Sequence, residues 1–170
     1  IAGTGTNSTQ KTIKNSREAE KLGAEAVLVV SPYYNKPTQE GLFMHFTDVA
    51  DSIEIPLIVY NIQSRTGVNI DTPTLKRLAE HRNIIGLKEA SGSLPQIMDV
   101  LHELPKDFLV LSGDDNLTLP IMSIGGAGVI SVASNLIPSK VVEMVRLALM
   151  GDFRGAQKLH FELLPLFKAI

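Results

Sequence analysis

The sequence predicts an α/β chain of parallel strands, and three observations carry that prediction. Short continuous apolar runs recur along the chain, the mark of strands covered on both faces. Between them lie capped segments whose apolar residues follow helical spacing. The strand-to-strand interval shrinks from roughly 30 to roughly 20 residues, a length that demands parallel pairing through right-handed crossovers. Two architectures meet these conditions: an open doubly wound sheet, or a (β/α)8 barrel lacking its first two βα units. Residues with chemistry follow every strand, and this favours the barrel over a sheet with one switch point.

The elements follow in order. The opening Ile1-Ala2-Gly3-Thr4-Gly5-Thr6 reads as a strand caught at its end. Asn7, Ser8 and Thr9 offer N-cap oxygens, and Gly23 stands where a helix C-cap glycine belongs. Ala26-Val27-Leu28-Val29-Val30 is a buried strand, and Ser31 to Pro37 is a loop. Leu42, Phe46, Val49, Ala50 and Ile53 then define an amphipathic helix. Pro56-Leu57-Ile58-Val59-Tyr60 is the next strand, and Asn61 to Asn69 a polar loop. Asp71-Thr72-Pro73 caps and starts a helix. Ile84-Ile85-Gly86-Leu87-Lys88 is a strand, with Ile84, Gly86 and Lys88 on one face by alternation. Ser93 caps a helix that turns Ile97, Met98 and Leu101 inward. Phe108 to Leu111 and Gly128 to Val132 are the last strands, and Pro138 and Asp152 open the last helices. Because the chain starts at Ile1 and stops inside an apolar helix-like stretch, both ends of a longer protein are expected to be missing.

Composition narrows the function. The chain has 170 residues, 44% of them hydrophobic, and a net charge of −2 with no Lys/Arg block. Neither nucleic acid nor an anionic membrane surface is an expected partner. With no cysteine, disulfides and thiolate metal sites are excluded. No run approaches the ~20 apolar residues of a membrane span, and a cytoplasmic location is expected.

Lys88 is the residue around which a site is expected. Desolvating an ammonium costs several kcal/mol, the usual escape is loss of the proton, and a neutral amine is a nucleophile that can form an imine with a carbonyl. The alternative is a strand-end lysine that snorkels to solvent or pairs with Glu89. Tyr60 closes the preceding strand, where its phenol could relay protons to the carbinolamine. Tyr33 and Tyr34 follow the strand before that, so the chain's 3 tyrosines all follow adjacent strands. Arg65, in the loop after Tyr60, has a planar fork suited to a substrate carboxylate. Gly86 leaves room for a substrate or serves close backbone packing. The Gly125 to Gly128 run precedes a strand, the wrong context for a phosphate loop, and reads as a tight turn. Asp114-Asp115 reads as a turn and helix N-cap, and the four histidines have unrelated spacings.

These residues together resemble the dihydrodipicolinate synthase family. The resemblance rests on Ala2-Gly3-Thr4-Gly5, Pro32-Tyr33-Tyr34-Asn35-Lys36-Pro37, Tyr60-Asn61, Ser64-Arg65-Thr66-Gly67, Gly86-Leu87-Lys88-Glu89-Ala90-Ser91-Gly92, Ser112-Gly113-Asp114-Asp115 and Gly128-Val129-Ile130-Ser131-Val132. It implies an α/β TIM (β/α)8 barrel, present here over 1–150 from the end of strand 3 through helix 8. A C-terminal helical extension would begin over 151–170, and part of its helices would be absent. It implies a lyase of lysine biosynthesis that condenses pyruvate with L-aspartate 4-semialdehyde and works as a homodimer or homotetramer without a cofactor. Lys88 then matches the Schiff-base lysine, Tyr60 the relay tyrosine and Tyr34 the tyrosine that reaches a neighbouring subunit. Arg65 matches the carboxylate-binding arginine, and Gly113 and Ile130 match backbone positions near the bound keto acid. Asn7 and Tyr33 match an allosteric lysine site, but Lys11 replaces its usual acid and would repel the inhibitor. The paired threonines of the family belong to the first barrel units, so these residues alone are expected to be nearly inactive. Sister aldolases, such as N-acetylneuraminate lyase, share the lysine and tyrosine but not Arg65. A non-catalytic barrel would form no adduct with pyruvate.

Overall fold

Parallel strands in sequential order form the centre of the first of two compact units, Ile1–Leu109 and Val110–Ile170, in a computed structural model that describes residues 1–170. Strands β1 (Ala2–Gly3), β2 (Val27–Val30), β3 (Leu57–Asn61) and β4 (Ile84–Glu89) each pair in parallel with the next. The order never reverses within this unit, so it lacks the switch point of a doubly wound sheet. Helices α1 (Thr9–Lys21), α2 (Gln39–Asp51), α3 (Gln63–Thr66), α4 (Thr72–Ala79) and α5 (Leu94–Glu103) fill the connections.

Register explains which strand residues are core. Val27 and Val29 pair with Leu57 and Val59, Leu87 pairs with Val59, and all five are fully buried. Leu42, Phe46, Leu75, Leu78 and Ile97, on the helices, are equally buried. Each such side chain contributes about 1.5–3 kcal/mol of transfer free energy. The other strand face differs from the expectation of full cover: Leu28 and Val30 are half-buried and line a cavity. Helix starts follow the predicted caps, with Ser8, Asp71, Ser93 and Asp152 accepting from the backbone N–H of Lys11, Thr74, Gln96 and Gly155.

Several local expectations change. The Asn61 to Asn69 stretch is not a plain loop, since Asn61 ends β3 and α3 forms within it. The register shifts between Leu57 and Ile58, so Ile84 pairs with Leu57 while Gly86 and Lys88 pair with Ile58 and Tyr60. Ile84 therefore leaves the set that strict alternation assigns to Lys88. Gly86 serves close packing, because a Cβ there would stand 2.6 Å from the Leu109 carbonyl oxygen. On α5 the inward residues are Ile97 and Val100, and Met98 is 49% exposed, one helical step off that stripe.

In the second unit Leu111 and Ser112 of β5 (Leu109–Ser112) pair in parallel with Gly128 and Val129 of β6 (Gly128–Val129). Helices α6 (Thr118–Ser123), α7 (Pro138–Leu149) and α8 (Phe153–Phe167) enclose Met122, Ala133, Met144, Ala156 and Leu163. The Gly125-Gly126 turn is closed by bonds from their N–H groups to Met122 and Ile121, and a phosphate-loop helix does not follow. No helix is long and apolar enough to cross a membrane.

Candidate active site

The ends of β3 and β4 carry two consecutive polar residues each, and pairing matches them one to one. Tyr60 lies opposite Lys88, and Asn61 opposite Glu89. Strand alternation sends the first pair to one face and the second to the other. The Lys88 Nζ stands 4.1 Å from the centroid of the Tyr60 ring, and Lys88 is only 8% exposed. Lys88 therefore does not snorkel to solvent. Glu89 is fully buried, and its carboxylate accepts from the Ser91 N–H at 2.5 Å and from Asn61 Nδ2. Burial pushes the Glu89 carboxyl up, and the bonds from Ser91 and Asn61 oppose that shift.

Tyr60 opens onto a cavity of about 480 Å³ whose walls include Leu28, Val30, Tyr33, Ile62 and Arg65. Arg65 is held there by α3, a single turn fixed at both ends. Thr66 Oγ1 donates to the Ile62 carbonyl at 2.9 Å, and Gly67 closes the turn in the left-handed region with φ 78°. Tyr33 is brought to the same cavity as Tyr60 and Arg65. Tyr34 is not: it is 89% exposed, and its backbone adopts φ 72°, a strained conformation for tyrosine. Asn7 reaches the tyrosine loop, giving Nδ2 to Asn35 Oδ1 at 3.3 Å and receiving Asn35 Nδ2 on its carbonyl at 2.8 Å. Lys11 is exposed in the first turn of α1.

Gly113 and Ile130 belong to the second unit and are neighbours there. The Ile130 N–H donates to the carbonyl of Ser112, the residue before Gly113, at 2.9 Å. Sequence reasoning missed what holds this pair of loops. Asp115 is buried, and one of its carboxylate oxygens accepts from the N–H groups of Val132 and Ala133 at 3.0 Å each. It acts as a clamp between loops, while Asp114 holds the N-cap position expected of Asp114-Asp115, on the short 3-10 helix Asp115–Leu117, with no side-chain cap bond. Asn61 and Glu89 were also missed, although two successive polar residues closing an apolar strand were a readable sign. Only one of such a pair can face the site, and the other must find partners behind the sheet.

An amine and a phenol side by side at the C-terminal ends of adjacent parallel strands, with an arginine on the next loop, define an α/β protein of the kind that does chemistry at its strand ends. Comparison narrows the class. The dihydrodipicolinate synthetase family matches residues 1–170, and the chain belongs to that family. It is 52% identical over 170 residues to 4-hydroxy-tetrahydrodipicolinate synthase 1 of Halalkalibacterium halodurans, covering 100% of this chain and 58% of that protein. Identity to the 4-hydroxy-tetrahydrodipicolinate synthase of Moorella thermoacetica is 55%, again over 100% of this chain and 58% of the relative. The solved structure of the 4-hydroxy-tetrahydrodipicolinate synthase from Methylacidiphilum fumariolicum SolV superposes with a TM-score of 0.98 at 53% identity, covering 99% of this chain and 56% of that one. The chain thus spans less than two thirds of the length of these relatives.

Proposed function

We propose that this chain carries the imine-forming part of a 4-hydroxy-tetrahydrodipicolinate synthase, a lyase that condenses pyruvate with L-aspartate 4-semialdehyde in lysine biosynthesis. The observation that carries the reading is the Lys88 amine at 4.1 Å from the Tyr60 ring, on paired strand ends. Family membership and relatives of that name support it.

In the proposed reaction the neutral Lys88 amine adds to the ketone carbon of pyruvate, and the Tyr60 phenol returns a proton to the oxygen. Loss of water from the carbinolamine gives the iminium, and loss of a methyl proton gives the enamine. The enamine carbon attacks the aldehyde carbon of the semialdehyde and forms the new C–C bond. The substrate's own amine then displaces Lys88 from the imine carbon, closing the ring and freeing the enzyme. The protonated imine is the electron sink, so the proposal needs neither a metal nor an organic cofactor. Arg65 is the proposed anchor of the semialdehyde carboxylate, and Gly113 and Ile130 are proposed to contact the keto acid through their backbone.

Four further assignments belong to this reading. Residues 1–150 are assigned to the part of a (β/α)8 barrel that runs from the end of strand 3 through helix 8, and 151–170 to the start of a C-terminal extension, at work in the cytoplasm. Tyr34 serves a neighbouring copy in a homodimer or homotetramer. Its 89% exposure and strained backbone suit a side chain held out for a partner. Asn7 and Tyr33 border a regulatory site in which Lys11 disfavours lysine.

Turnover of the two substrates tests the proposal. Lys88→Ala in the intact enzyme should abolish it, and Arg65→Ala should raise KM for the semialdehyde with pyruvate binding kept. Activity on a sugar acid in place of the semialdehyde would contradict the assignment.

A further inference from the structure

We infer that Asn61 and Glu89 are positioning residues that set the placement of Tyr60 against Lys88 from the opposite face of the sheet. The inference rests on the imine-forming role proposed for Lys88. It starts from the register: Asn61↔Glu89 is the pair directly after Tyr60↔Lys88, and the Ala90 N–H returns to the Asn61 carbonyl at 2.9 Å. Both strands end at this pair, so no further pair of the ladder holds the two strand ends in register.

The side chains behind the sheet supply that hold. Asn61 Nδ2 donates to Glu89 Oε2 at 3.3 Å and to Asn69 Oδ1 at 2.9 Å, while Asn61 Oδ1 accepts from the Ile70 N–H at 3.1 Å. Both donors of this fully buried amide are used, and its oxygen accepts one bond. The chain continues outward, with Asn69 Nδ2 donating to Gln96 Oε1 at 2.8 Å and Gln96 Nε2 to the Ile70 carbonyl at 2.9 Å. On the same face, Leu57, Val59 and Leu87 show that apolar residues satisfy the packing there. Burying a carboxylate and an amide costs desolvation, which their bonds to each other and to the N–H groups of Ile70 and Ser91 offset. The same bonds have a geometric consequence, because the backbone unit that aims this buried pair also aims Tyr60 and Lys88.

The test uses the intact enzyme and measures the rate at which borohydride traps pyruvate on Lys88, with KM and kcat beside it. Misplacement by about 1 Å costs on the order of a hundredfold. Asn61→Leu should therefore slow trapping and kcat by about 10- to 100-fold, with KM for the semialdehyde unchanged. Glu89→Gln, which keeps an acceptor for Ser91, should trap pyruvate at close to the parental rate. If Asn61→Leu does not fold, Asn69→Ala one bond further out should slow trapping by a smaller factor. A folded Asn61→Leu that traps pyruvate at the parental rate would overturn the inference, as would Asn69→Ala at the parental rate. Failure of the parental enzyme to trap pyruvate would instead overturn the imine reading itself.

Discussion

Two regions of this protein face the same task, holding strand-end loops still, and meet it in opposite ways. In the first unit the loops after β3 and β4 hang on a chain of neutral and acidic side chains, Glu89, Asn61, Asn69 and Gln96, joined at its outer end by Gln39 Nε2 on the Asn69 carbonyl. In the second unit the loop after β6 hangs on one carboxylate, Asp115, with two backbone N–H groups on a single oxygen. A distributed network loses one bond at a time, whereas a single clamp fails at once.

The contrast can be broken by substitution. Asp115→Ala leaves the buried N–H of Ala133 without an acceptor and the part-buried N–H of Val132 to water, and should cost roughly 3 kcal/mol. Urea denaturation measures it, and amide exchange should show the loss centred on 130–135. Asp115→Asn retains an acceptor and should cost less. A loss for Asp115→Ala no larger than that for a network residue would erase the distinction.

Acid sharpens it from the other side. His45 is buried on α2, its Nδ1 2.9 Å from Thr9 Oγ1 and its Nε2 without a partner. Burial lowers its pKa from 6.5 to about 4, against the opposing charge of Asp48. Neutral in the folded protein and protonated in the unfolded chain, His45 withdraws stability as pH falls through 6.5, with the full loss reached near 4. That loss amounts to about 3 kcal/mol. Denaturation midpoints followed from pH 7 to pH 4 should show it, and His45→Gln should flatten the profile.

The smallest effect belongs to the rim of the network. Gln96→Ala removes the bonds to Asn69 and Ile70 and leaves Asn61 and Glu89 in place. It should cost about 1 kcal/mol, read by thermal melting.

Much of this was legible in the sequence. The four caps at Ser8, Asp71, Ser93 and Asp152 came from residue chemistry at helix starts, and the apolar runs located the strands. Lys88 and Tyr60 stood out because an ammonium at a buried strand end is costly to desolvate and because Tyr60 closes the neighbouring strand. Other features depend on partners distant in sequence. A one-turn helix such as α3 is too short to show a period, and the shift at Leu57/Ile58 leaves no mark in composition. β6 ends at Val129, not Val132, because the Val132 N–H is drawn to Asp115, 17 residues earlier. The back-face pair was hidden because alternation reads only which side a residue takes, not what awaits it there.

The most direct test of the central claim is borohydride reduction of the intact enzyme with pyruvate, followed by peptide mass mapping. The account predicts a reduced keto-acid adduct on Lys88 and on no other lysine. An enzyme that turns over its substrates while Lys88 stays unmodified would contradict it.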